Sequence, residues 1–290
     1  MMGNSDRIVS DGEFHLSSAD FNTIAGILLS EVGISLGENK VNLVYSRLAK
    51  RLRALRLTSF RDYCALVSGP EGERERGEMI AALTTNVTRF FREPHHFEHL
   101  KTEILPAALQ FAKKGGRVRL WSAACSSGQE PYSMAMTILS LMPEAHRHDI
   151  RILATDVDPN MIAFGQAGIY QSAALESIPG ALRSRWFTNL GSGDMQAGDE
   201  LQSLVSFRKL NLIGNWPMSG RFHAIFCRNV VIYFNQETQS RIWERIAPLL
   251  DPNAALYIGH SERVSGPAER LLKSDGITTY RLVTRSAGPS

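Results

Sequence analysis

In VRLWSAACSSGQEPYSMAM, residues 118–136, an apolar run enters a loop of small residues and leaves it as a second, amphipathic run, with Glu130 at the junction. Strand, loop and helix in that order form a ligand-binding turn at the edge of a parallel sheet. The loop AACSSGQE holds a single glycine, Gly128, and lacks the G-x-G-x-x-G spacing that brings bare amides against a pyrophosphate. Glu130 would repel an anion and attract an ammonium or sulfonium group. A further apolar run, IRILATD, ends in Asp156, whose carboxylate can accept from both hydroxyls of a ribose. The two acids describe a pocket for a cationic nucleoside without phosphates, and S-adenosylmethionine has that chemistry. Each acid also has a plainer reading, Glu130 as a helix N-terminal charge favoured by the macrodipole and Asp156 as a loop cap.

The elements that must position these acids follow from period and punctuation. From residue 117 onward strands and helices alternate: strands at 117–123, 150–156, 222–229, 254–260 and 276–283, and helices at 130–142, 158–168 and 235–250. Asp158 caps the second of these helices, with Pro159 at its first position. This alternation predicts an α/β fold, a parallel sheet covered by helices. Between 170 and 207 the alternation breaks into turn-rich sequence and one strand-like run, SLVSFRKL, which predicts an inserted small subdomain.

Residues 14–85 are helical in pattern, with breaks at Gly33, Gly37 and SGPEGE, and a serine cap in SSADF (17–21). Across 40–61, Val41, Val44, Tyr45, Leu48, Leu52 and Leu55 recur at spacings of three and four, one stripe of a helix. Arg47, Lys50, Arg51 and Arg53 lie on the same stretch, which contains no acid. Residues 1–13 read as a flexible leader without an apolar targeting core.

Bulk properties narrow the class. A length of 290 residues suits one large or two modest domains, and a net charge of +3 gives no overall bias toward nucleic acid. The three cysteines are scattered and form no CxxC, which argues against a disulfide framework or structural zinc and for a reducing, cytoplasmic setting. No run approaches the ~20 apolar residues of a membrane span. His95, His96 and His99 cluster after FFRE but without an HExxH glutamate, and no metal site is expected.

The segments LTTNVTRFFREPHHF (83–97), WSAACSSGQEPYSMA (121–135), ATDVDPNMI (154–162), GIYQ (168–171), FHAIFCRNVVIYFNQETQ (222–239) and LYIGHSE (256–262) together resemble the CheR chemoreceptor glutamate methyltransferases. The resemblance implies an all-helical N-terminal domain (14–85). After it comes a class I S-adenosylmethionine-dependent, Rossmann-like methyltransferase domain (86–290) with an inserted antiparallel β-subdomain at about 170–207. It implies S-adenosylmethionine as methyl donor, S-adenosylhomocysteine as product, and glutamates in the cytoplasmic signalling helices of chemoreceptors as acceptors. Carried over by position, cofactor contacts fall on Asn86, Thr88, Arg92, Glu130, Asp156, Asn211, Leu212, Arg228 and Asn229. Arg92 and Tyr233 line the methyl-transfer site. The turn-rich stretch 190–200 is compact beside family members that hold a pentapeptide at the receptor C-terminus.

Two features carry competing readings. The basic stretch is either a solvated face whose arginine stems cover apolar surface or a docking face for the glutamate-rich receptor helices. Arg92 read alone would pair with Glu93. A nucleic-acid methyltransferase would share the cofactor fold, but RNVVIYF stands where amino-methylating enzymes carry an Asn/Asp-Pro-Pro-Tyr/Phe turn. A non-catalytic protein that senses the cofactor and binds receptors is the other alternative. A monomer is expected, without nucleic acid and without direct membrane insertion.

Overall fold

Ser17 starts the first helix, α1 (Ser18–Val32), with a reciprocal cap: its hydroxyl accepts from the Asp20 N–H at 3.2 Å and the Asp20 carboxylate accepts from the Ser17 N–H at 3.1 Å. The computed structural model describes residues 8–10, 12–191 and 193–283. The chain divides into two units, residues 1–85 with 233–235, and residues 86–232 with 236–290.

In the first unit, α1 is joined by α2 (Val41–Leu55), α3 (Phe60–Ser68) and α4 (Glu73–Leu83). Val44, Leu48 and Leu52 of α2 are fully buried, the i, i+4 stripe that the spacing predicts. The helix does not run to residue 61. Arg56 takes a left-handed conformation, its N–H reaches the Arg53 carbonyl and the Leu57 N–H reaches the Leu52 carbonyl, a six-to-one closure that ends α2. Ser59 then caps α3, so Arg61 sits on a different helix from Arg47. Residues 1–7 and 11 of the expected leader lie outside the described residues. Residues 8–10 form strand β1 (Ile8–Ser10), antiparallel to β2 (Leu16–Ser17), where a loose leader was expected.

The second unit opens with α5 (Pro94–His99), a π-helical turn at 100–104, and α6 (Leu105–Lys113). The alternating part follows in chain order: β3 (Val118–Ala123), α7 (Gln129–Leu141), β4 (Ile150–Asp156), α8 (Pro159–Ala167) and β5 (Ile169–Gln171). Next come α9 (Gly180–Trp186), β6 (Phe187–Asn189), β7 (Asp194–Ala197), α10 (Asp199–Leu204) and β8 (Val205–Lys209). The unit ends with β9 (Phe222–Cys227), α11 (Gln236–Ile246), β10 (Leu250–Ile258), β11 (Leu272–Ser274) and β12 (Thr279–Leu282).

Seven strands lie in the order β11-β12-β10-β9-β3-β4-β8. The five from β8 to β10 are parallel, and β12 and β11 add antiparallel at one end. A second sheet, β5-β7-β6, is antiparallel throughout. SLVSFRKL is not part of the insertion as expected from sequence. As β8 it pairs in parallel with β4, and the inserted sheet is complete without it. The reason is burial: Phe207 is buried and its ring packs on Tyr132, so the run belongs to the main core.

Chain order reverses between β3 and β9, so the switch point lies at their carboxyl ends, where a parallel sheet offers a crevice. Strand β3 is buried at nearly every position, as a central strand covered on both faces must be. Helix α7, which leaves the loop after β3, is buried from Gln129 to Leu139 except at Glu130. This makes it a fixed platform for Glu130.

Candidate active site

The loop after β3 turns sharply to reach α7. Ala124 and Ser126 both have positive φ, and Gly128 sits at φ 94°. A Cβ at Gly128 would lie 2.8 Å from the Tyr170 hydroxyl and 3.0 Å from the Gly165 Cα, so the one glycine is required by space as well as by backbone angle. Of seven non-glycine residues with positive φ among the described residues, five (Phe91, Glu93, Ala124, Ser126 and Asn229) surround this crevice. Strained backbone of this kind concentrates where a ligand or a reaction needs it.

Glu130 accepts from the Ser122 hydroxyl at 2.7 Å and from the Arg228 guanidinium at 3.1 Å. Burial pushes its carboxyl above the ordinary glutamate range, with Arg228 and Ser122 pulling the other way. Asp156, at the tip of β4, accepts from the Ser126 N–H at 2.8 Å and the Asp158 N–H at 3.0 Å. Burial raises it too. A carboxylate offers about four lone-pair positions; with one N–H on each oxygen, Asp156 keeps acceptor capacity for two hydroxyls.

Residues 86–92 lie over the loop. The Asn86 carbonyl accepts from the Ser126 hydroxyl at 2.9 Å, and its side-chain amide donates to Asp158 at 3.1 Å. The Phe91 N–H donates to Ser133 on α7 at 2.9 Å. Thr88 is half-buried within this segment. Arg92 donates to the Val87 carbonyl at 2.9 Å. The ion pair with Glu93 that Arg92 would form if read alone is not the one the fold makes: Glu93 faces Arg228 at 3.4 Å.

Beyond β9, Arg228 is buried between Glu93 and Glu130 and donates to the Arg92 carbonyl. Asn229 is left-handed, and Glu262 holds the loop that contains it, accepting from the N–H groups of Asn229, Val230, Val231 and Gly259 at 2.6–2.9 Å. Asn211 and Leu212 follow Leu210, whose N–H donates to the Asp156 carbonyl at 2.9 Å, so they too start from the tip of β4. Thus Asn86, Arg92, Glu130, Asp156, Asn211, Leu212, Arg228 and Asn229 collect at one edge of one sheet. Tyr233 groups with the first unit, where its carbonyl accepts from the Ser35 N–H at 2.9 Å.

Glu93 and Glu262 are absent from the residues picked out by sequence. The signal for Glu262 was its place in LYIGHSE. Glu93 looked like a local partner for its neighbour, and only the fold brings Arg228 to it. Glu93, His95 and His96 carry ligand-type atoms within 4.8 Å of one another. The carboxylate there already faces the Arg228 cation, and burial together with Arg228 pushes His96 down to about 3, leaving it neutral.

The fit to the expected cofactor rests on the donor set. Buried Asp156 and the largely covered Glu130 stand past the ends of neighbouring strands, and the loop between β3 and α7 has no run of glycines open to phosphate. Those groups suit an ammonium and a ribose.

Three of the four basic residues of α2 are engaged within the first unit. Arg47 donates to the carbonyls of Ala82, Leu83 and Thr84 at 2.8–3.2 Å, a cation on the C-terminal end of α4. Arg51 makes a two-point pair with buried Glu75, which also accepts from Tyr63. Arg53 pairs with Glu13, both about half exposed. Lys50 is exposed and has no partner among the described residues.

Residues 86–280 match the CheR methyltransferase SAM binding domain, and residues 19–84 the CheR methyltransferase all-alpha domain. The chain is 52% identical over 265 residues to a probable chemotaxis protein methyltransferase of Rhizobium etli, covering 90% of this chain and 99% of that one. It is 40% identical to chemotaxis protein methyltransferase 2 of Pseudomonas aeruginosa, over 94% of this chain and 96% of the other. It is 39% identical to the chemotaxis protein methyltransferase of Escherichia coli, over 92% of each.

Proposed function

Because the chain belongs to the CheR methyltransferase family, and is an S-adenosylmethionine-dependent methyltransferase of chemotaxis, we propose that its acceptors are glutamate side chains on the cytoplasmic helices of bacterial chemoreceptors. The product is a glutamyl methyl ester. The observation that supports the reading best is the pair of acids, Glu130 and Asp156, past the ends of adjacent strands, with Glu130 paired to Arg228.

When bound, S-adenosylmethionine supplies a methyl group on a sulfonium, an electrophile. Glu130 would hold its ammonium and Asp156 its ribose hydroxyls, with Asn86, Thr88, Asn211, Leu212, Arg228 and Asn229 around them. An acceptor carboxylate with a pKa near 4.3 is ionised at neutral pH, so the chain needs no general base. Its work is orientation and exclusion of water. Arg92, whose guanidinium donates to the Val87 carbonyl, is proposed to orient the acceptor carboxylate, and Tyr233 is proposed to donate a hydrogen bond in the transfer step. Held reactants reach effective molarities of roughly 10⁵ M or more, so positioning alone supplies a large share of the rate. Lys50 on the outer face of α2 is proposed to steer the acidic receptor helix, and the protein is proposed to act as a monomer. Among the described residues no helix is long and apolar enough to cross a membrane.

Calorimetry with S-adenosylhomocysteine, followed by methanol release in base from purified receptor signalling domains incubated with labelled donor, tests the proposal. Binding plus base-labile label supports it. Binding without label would make the protein a cofactor sensor, and label on nucleic acid would move the acceptor to another class.

A further inference from the structure

The carboxylate of Glu93 stands where three chain segments meet. Its Oε2 lies 3.4 Å from the Arg228 guanidinium and 3.5 Å from His96 Nδ1, and its Oε1 lies 3.3 Å from His260 Nδ1 and 3.5 Å from the Asn229 amide. Residues 228 and 229 follow β9, and residue 260 follows β10. Glu93 reaches them from a left-handed backbone position immediately before Pro94, which starts α5. Its side chain is 12% exposed and its Oε2 has no hydrogen-bond donor, so this oxygen works through charge alone. A non-glycine residue held left-handed costs free energy, which the surrounding contacts must offset.

The charge count at the site explains why such a group is kept. Arg228 is the one buried cation between two carboxylates, Glu93 and Glu130, and half-buried Arg92 adds a weaker positive influence on Glu130. With Glu130 alone, Arg228 would neutralise it, and an incoming ammonium would meet a satisfied ion pair. With Glu93 on its other side, the guanidinium is shared and Glu130 keeps net negative character toward the crevice. His96 does not change the sum, because it is neutral. Glu93 itself stays ionised: burial pushes its carboxyl up, but the Arg228 charge and hydrogen bonds from His260 and Asn229 outweigh that and hold it below the ordinary range.

We infer that Glu93 is a positioning residue that draws the Arg228 charge away from Glu130, so that Glu130 can bind the ammonium of the amino-acid end of the cofactor. The inference rests on the reading of Glu130 given above. It differs from a purely structural role in what it selects. An ammonium-bearing ligand feels the change in Glu130, whereas the adenosine part of the same ligand does not.

The experiment compares two probes on the full chain, S-adenosylhomocysteine and 5′-methylthioadenosine. Both are thioethers of adenosine, and only the first carries the amino-acid end. Glu93→Gln keeps the shape and removes the charge. The expected result is a loss of S-adenosylhomocysteine affinity of about tenfold or more with a loss for methylthioadenosine under about threefold, the gap reporting a charge-assisted contact. Equal losses for both probes, or no loss for either, overturn the inference. Failure of the unchanged protein to bind S-adenosylhomocysteine would instead overturn the cofactor assignment. Should Glu93→Gln not fold, Glu93→Asp, a carboxylate withdrawn by one methylene, answers the same question: selective loss of S-adenosylhomocysteine supports the inference, and parallel loss or none defeats it.

Discussion

At the scale of single residues, the site separates side chains that hold the fold from those left for a ligand. Glu262 has its carboxylate filled by four backbone N–H groups, and Arg228 is locked between two acids. The Arg92 guanidinium donates to the Val87 carbonyl and lies within electrostatic reach of Glu130. We therefore expect Arg92→Ala and Tyr233→Phe to lower methyl-ester formation by about 100-fold or more while shifting stability by less than about 1 kcal/mol. Parallel melting and turnover measurements check this, and matched losses would assign both residues to the fold. His96 makes a separate prediction. It is fully buried and neutral, with its Nε2 beside the Thr278 hydroxyl at 2.8 Å. The unfolded chain takes up this proton near pH 6.5 and the folded chain only near about 3. Its contribution is therefore complete above pH 6.5 and lost as pH falls, at on the order of 1.4 kcal/mol per pH unit. Denaturant melts between pH 7 and 5 should show that slope in the parent and a flatter one in His96→Gln.

At the scale of elements, loop conformation is what aims the acids. The turn between β3 and α7 packs against the inserted subdomain through Tyr170, whose hydroxyl donates to the Ser127 carbonyl at 2.8 Å. Gly128→Ala would place a methyl against that hydroxyl at a backbone angle alanine avoids. The expected cost is about 1–3 kcal/mol of stability, together with weaker S-adenosylhomocysteine binding as Glu130 shifts with its helix. An unaltered calorimetric titration in Gly128→Ala would show that the turn tolerates more than its packing implies. The strand–loop–helix order, the Asp158–Pro159 helix start and the serine cap of α1 were all legible in sequence, because caps and periods depend on neighbours within a few positions. The end of α2 at Leu55 was not, because Arg56 adopts a left-handed turn that its side chain does not announce.

For the whole molecule, the question is how the proposed acceptor, an acidic receptor helix, is captured. Charge reversal at Arg47 or Arg51 would probe this badly. Arg51→Glu would place a second carboxylate beside buried Glu75 and is expected to destabilise the first unit by about 3–5 kcal/mol, whatever happens to docking. Lys50→Glu should cost within about 0.5 kcal/mol. If the basic face steers receptors, Lys50→Glu should slow receptor methylation at low ionic strength, and the difference from the parent should vanish as salt shortens the Debye length to about 3 Å. Identical initial rates at low salt would remove α2 from the docking surface.

The sequence alone determined the ligand class: small residues in the loop, one glycine, and an acid at each of two strand ends exclude a pyrophosphate and favour a cationic nucleoside. These features are local, and local chemistry survives without coordinates. Tertiary structure decided the pairings. Arg228 meets Glu130 across 98 positions of chain and takes Glu93 from Arg92, β8 joins the main sheet, and three of the four basic residues of α2 are engaged by partners within the first unit. Which cation meets which anion depends on distances that only packing sets, because every buried charge takes whatever counter-charge the fold brings within reach.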